Sequence, residues 1–90
     1  MANKRTLKRA INGISESLFA ECVAASLYGS DNNKENIDSL LVSIVKMQRN
    51  FISRVSHPEP GLSPKAYFRD LREKLSADVE EIFDRIIDTN

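Results

Sequence analysis

The chain lacks tryptophan and has one cysteine, one histidine, three glycines and three prolines in 90 residues. Each scarcity excludes something. A single cysteine cannot build an intramolecular disulfide framework or a cysteine-based zinc finger. One histidine beside Glu59 is too thin for a metal site. The glycines form no phosphate-cradling motif: there is no Gly-x-Gly-x-x-Gly, no P-loop and no Gly-x-Ser-x-Gly. Long hydrophobic runs are also missing. The longest mostly apolar stretch, Leu18 to Leu27, is broken by Glu21 and is far shorter than the roughly 20 residues that span a bilayer. Net charge is missing too. Thirteen basic and thirteen acidic residues cancel, so the chain is not a global polycation of the kind that coats nucleic acid.

What is present is enough for one small domain. Hydrophobic residues make up 41% and charged residues 29%, a soluble globular composition and not a disordered one. A chain of this length buries only about 60–65% of the surface its unfolded form exposes. That is one core, without room for a deep substrate cleft. The polar, basic start from Met1 to Ala10 is followed by no apolar signal region. The lone thiol fits a reducing compartment, so the expected location is cytoplasmic.

Glycine and proline divide the chain into three helical stretches. Gly29-Ser30-Asp31-Asn32-Asn33 reads as one turn, and Pro58, Pro60, Gly61 and Pro64 mark a second break. The first helix is expected over 6–28, with Leu7, Ala10, Ile11, Ile14, Leu18, Cys22 and Ala25 on its apolar stripe. Gly29 stands where a C-capping glycine belongs. Gly13 inside the helix costs about 1 kcal/mol against alanine and marks either a close helix–helix approach or nothing.

The second helix is expected over 33–56. Asn32 with Glu35 resembles a capping box, and Ile37, Leu40, Leu41, Ile44, Val45, Gln48, Phe51, Ile52 and Val55 keep the helical period. Pro58 ends it by disfavouring helical geometry at His57. The third is expected over 64–88. Ser63 is a good N-cap and Pro64 falls at N1, where a missing N–H costs nothing. Phe68, Leu71, Leu75, Val79, Ile82 and Ile86 form its stripe, broadened by Tyr67, Phe83 and Ile87. No segment alternates with period two. The expected fold is all-α: an up-down-up three-helix bundle in one domain spanning 1–90, open to completion by dimerisation.

Three segments carry a family resemblance: Lys4-Arg5-Thr6-Leu7-Lys8-Arg9-Ala10-Ile11-Asn12, Leu18-Phe19-Ala20-Glu21-Cys22-Val23-Ala24-Ala25-Ser26, and the turn Val55-Ser56-His57-Pro58-Glu59-Pro60-Gly61. With them the chain resembles a group of short, all-helical bacterial proteins with no assigned function, over nearly its whole length. The resemblance implies a bacterial cytosolic helical protein. It implies no activity and carries over no functional residue.

The cancelled charge is segregated. In an up-down-up bundle, one end collects residues 1–15, 45–63 and 64–76, with eleven basic and three acidic side chains. The other end collects residues 16–44 and 77–90, with two basic and ten acidic. Acids favour helix N-termini and bases favour C-termini, by about 0.3–1 kcal/mol each. The second helix obeys this rule. The first opens on four bases, and the third opens on Lys65 and closes on Asp84 and Asp88, so both disobey. Helix-dipole optimisation therefore does not explain the layout. Solubility, docking to an anionic partner and head-to-tail self-association remain. Open head-to-tail contacts risk filaments.

Two candidate sites follow. Phe19, Val23 and Val42 lie off the core stripes. In an antiparallel pair turning near residues 30–31, Val42 falls level with Phe19, and the three form a candidate protein interface near the acidic end. A wide core face is the bland alternative. Lys4, Arg5, Lys8, Arg9, Arg54 and Lys65 at the basic end form a candidate anion-binding set, able to contact phosphates. The acidic half argues against binding along a duplex, and the long helices do not resemble a helix-turn-helix.

A Cys22–His57 dyad would need hydrogen-bond reach, whereas Cys22 lies roughly 24 Å from the basic end by helical rise. No enzyme, cofactor or metal is expected, and no membrane association. The expected function is a non-enzymatic protein-interaction module or small adaptor, docking on another protein or on itself as a homodimer. The alternative is an anion or nucleic-acid binder using the basic end. Salt separates the two, because phosphate contacts weaken steeply with ionic strength.

Overall fold

Helical periodicity over three long stretches produces three helices and no strand among the described residues, in a computed structural model that describes residues 4–28 and 34–89. They are α1 (Lys4–Tyr28), α2 (Lys34–Ser56) and α3 (Pro64–Thr89). The all-α three-helix bundle is as expected, with ends one or two residues from those read in the sequence. The capping roles assigned to Gly29 and Asn32 lie outside the described residues.

The break between α2 and α3 works as its residues dictate. The His57 N–H donates to the Ser53 carbonyl at 2.9 Å, closing the last turn of α2. Gly61 takes a φ of +96°, a region that a Cβ disfavours. Ser63 caps α3: its Oγ accepts from the Ala66 N–H at 3.2 Å, and its carbonyl accepts from the Tyr67 N–H at 2.9 Å. The Tyr67 hydroxyl then donates to the Arg54 carbonyl at 2.9 Å, tying the first turn of α3 to the end of α2.

One core runs the length of the bundle. Leu7, Ile11, Leu18, Cys22 and Ala25 of α1 meet Ile37, Leu40, Ile44, Met47, Phe51 and Val55 of α2, and Phe68, Leu71, Leu75, Ile82 and Ile86 of α3. Ser15 is the buried polar residue of this core, and its Oγ donates to the Ile11 carbonyl at 2.9 Å. Among the described residues, no buried side-chain polar atom lacks a partner.

Three readings of the core need correction, and one left open is decided. Ala10 is exposed, because it lies on the α3 side of α1, where the neighbouring helix stands off. Phe83 and Ile87 do not broaden the buried stripe; they are 43% and 54% exposed, along the same open seam. Met47 is buried on the α3 side of α2 and belongs to the core. Of the two readings of Gly13, the second holds: a Cβ built there meets nothing within 4 Å.

The Asn12–Gln48 hydrogen bond, 2.8 Å from Nε2 to Oδ1, fixes the register of α1 against α2. It places Val42 within one residue of the level of Phe19, as the turn position had implied. α1 packs most extensively on α2 and least on α3. The bundle is slim, 48 × 18 × 15 Å, with a radius of gyration of 14.8 Å, against about 12 Å for a compact domain of this length.

Candidate functional site

The expected interface residues lie on α1 and α2, where Val42 faces away from the buried stripe of its helix. Val23 and Val42 are 49% and 53% exposed. Phe19 is half-buried and packs against the core. Phe19 is thus a partly covered aromatic edge, while Val23 and Val42 stand clear of the core. Leu27, one turn beyond Val23, is 73% exposed and extends the row.

The basic set is spread differently. Lys4, Arg5, Arg9 and Lys65 are exposed, while Lys8 and Arg54 are half-buried. At 100° per residue, Lys4, Arg5, Lys8 and Arg9 point around roughly 140° of α1. They form a collar around the end of the bundle and not a patch on one face. Arg54 is committed to its own surroundings, with its guanidinium 5.3 Å from the centre of the Phe51 ring, a cation–π placement. Beside it lies a cavity of about 550 Å³, lined by Arg54, His57, Glu59, Tyr67, Asp70 and Lys74 among others. Its charges are of both signs, and Lys74 pairs with Asp70 at 3.0 Å. An anion there meets carboxylates as well as cations.

Cys22 and His57 stay apart. The α1/α2 register sets Cys22 level with residue 38 and His57 level with residue 3, about 28 Å along the axis. Cys22 is buried in the core. Desolvation raises its thiol pKa above the ordinary 9.0, only partly offset by the Arg85 charge. A buried, protonated thiol is inert as a nucleophile. Among the described residues, no three His, Cys, Asp or Glu side chains gather as a metal site would require. No helix of the described residues is long and apolar enough to cross a membrane.

A third surface was missed in the sequence. Between α1 and α3 runs an open apolar groove of about 550 Å³, lined by Ala10, Gly13, Ile14, Ser17, Val79 and Phe83, with Leu18 and Glu21. Small residues line its α1 wall and larger apolar ones its α3 wall. The signal was available: Ala10, Gly13 and Ser17 share one face of α1 at spacings of three and four, a face too small to fill a seam. By contrast, the groove between α2 and α3, about 400 Å³, is lined by Ser43, Lys46, Asn50, Asp78, Glu81 and Arg85 with Met47 and Ile82, and is mostly polar.

No protein-family model matches the chain, and it matches no curated protein and no solved structure.

Proposed function

We propose that the chain is a non-enzymatic protein-interaction module, a small cytoplasmic adaptor that works by docking an apolar face. The observation that carries this reading is the pair of half-exposed valines, Val23 on α1 and Val42 on α2, about 8 Å apart along the bundle axis by the Asn12–Gln48 register. A bundle with a single thin core has no spare apolar residues to waste. Apolar side chains left in water gain by being covered, at about 25 cal/mol per Å². The separation of the buried thiol from the histidine supports a binding role over a catalytic one.

The experiment is native mass spectrometry on protein gently purified from its host, with the Val23→Asp/Val42→Asp double variant alongside. Both positions are solvent-facing, so the variant retains its helical signal. A discrete complex with a protein, lost in the double variant, supports the reading. A clean monomer carrying a nucleotide or nucleic acid overturns it.

A second reading has its own observation. α1 and α3 have no acid in their first turns and no base in their last turns, so their charges run against their macrodipoles, and local stability does not account for them. Binding of an anion by the basic collar, through Lys4, Arg5, Lys8, Arg9, Arg54 and Lys65, would. Its signature is affinity for a short single-stranded oligonucleotide that falls steeply with salt.

A further inference from the structure

We infer that the α1/α3 groove docks an amphipathic helix of another protein, one that carries lysines or arginines beside its apolar stripe. The inference rests on reading the chain as an interaction module, and it names the chemistry of a partner. The surface it uses is separate from Val23 and Val42.

The groove has the form that a helix fills. Its lining runs from Ala10 to Glu21 on α1, about 16 Å or three turns. That length takes apolar anchors at i, i+4 and i+7 of a docked helix. Ile14, Leu18, Val79 and Phe83 receive them, and Phe83 is 43% exposed. The rest of the α1 wall, Ala10, Gly13 and Ser17, is small, and a Cβ at Gly13 meets nothing within 4 Å, so a second backbone can come close. An extended peptide fits less well. There is no strand among the described residues to pair with it. Its backbone N–H and C=O groups would enter apolar surroundings without partners, whereas a helix bonds its own.

The charges beside the groove name the partner. Glu21 is the charged residue of its lining. On α3, Glu80 follows Val79 and lies about 60° around the helix from Phe83, and Asp84 stands one turn further on. All three acids are exposed. Arg85, the base of this stretch of α3, lines the α2/α3 groove instead. Arg69 and Arg72 flank the other end, with Arg72 about two turns before Val79. A partner helix therefore places its own bases over Glu21, Glu80 and Asp84, and none over Arg72. Another copy of this groove does not meet that condition, because a two-fold centred on it sets acid on acid. The occupant is a different protein.

The test is NMR titration of the methyl-labelled full chain with a synthetic helical peptide of about four turns. The peptide carries a stripe of leucine and alanine and has lysines in its last two turns. A matched peptide has glutamate for lysine. The expected result is a shift of the Ile14 and Val79 methyls with Val42 unchanged, at an affinity that falls about tenfold from about 50 to about 500 mM NaCl. The glutamate peptide is expected to bind at least about tenfold more weakly. Phe83→Asp is expected to lose the lysine peptide although it adds an acid, which separates docking from bare charge attraction. Glu21→Lys/Glu80→Lys is expected to keep its helical signal and to prefer the glutamate peptide.

Three outcomes overturn the inference. One is an Ile14 and Val79 signal that stays still as the lysine peptide is added. Another is equal binding of the two peptides. The third is binding that survives or tightens in Phe83→Asp. Peptide shifts confined to Val23 and Val42 leave the interaction-module reading standing, as does a silent groove in a chain that still forms a Val23- and Val42-dependent complex. A silent groove with no protein complex defeats both.

Discussion

The two seams of α1 differ in kind. Toward α2, the helix is sealed: Ile11 and Ile44 are fully buried, and Asn12 and Gln48 lock the rim. Toward α3, small residues face half-covered ones, and a groove stays open. One helix thus spends one flank on holding the monomer together and leaves the other unfilled. The monomer is held mainly through the α1/α2 seam, and the difference between the seams is open to direct attack.

The largest expected effect lies in the sealed seam. Ile11→Ala should destabilise by about 2–5 kcal/mol, because it removes a fully buried side chain and leaves a cavity. Val79→Ala, in the open seam, should cost less, about 1–2 kcal/mol, since that side chain is only partly buried against the core. Urea denaturation at about 1 µM protein compares the two, and equal losses would erase the distinction between the seams.

Gly13→Ala sharpens the comparison with the opposite sign. Its Cβ meets open space within the monomer, so the substitution should stabilise by about 1 kcal/mol through helix propensity alone. Destabilisation in the same denaturation series would mean that α3 lies closer than described.

Cys22 provides a chemical probe of the core. Burial holds its pKa up in the folded chain, so the folded state keeps the proton that the unfolded state releases near pH 9. The contribution is fully present below the unfolded pKa and is lost as pH rises above it. Stability should therefore fall from about pH 9 upward, less so in Cys22→Ala, and alkylation at pH 8 should be far slower in the folded chain than in urea. Rapid alkylation of the folded chain would show the seam to be open there.

The smallest effect is expected at the rim: Gln48→Ala should cost about 0.5 kcal/mol, the low end for a hydrogen bond, since both partners are exposed.

Much of the fold was legible in the sequence. Apolar period, the Ser63-Pro64 start and the proline-rich break fix three helices, because each signal acts locally. The α1/α2 register was legible too, since a short turn leaves little freedom. The core's width was not. Phe83 and Ile87 sit near enough to the α3 stripe to be read as buried; what exposes them is the distance between α1 and α3, a tertiary quantity. Ala10 was misplaced for the same reason. The charge segregation was readable once the topology was assumed.

The most direct measurement is methyl NMR of isotopically labelled chain with a water-soluble paramagnetic agent added. The account predicts strong broadening at the Val23 and Val42 methyls, partial broadening at Val79, and none at Ile11 and Ile44. Equal broadening at Val79 and Ile11 would contradict it.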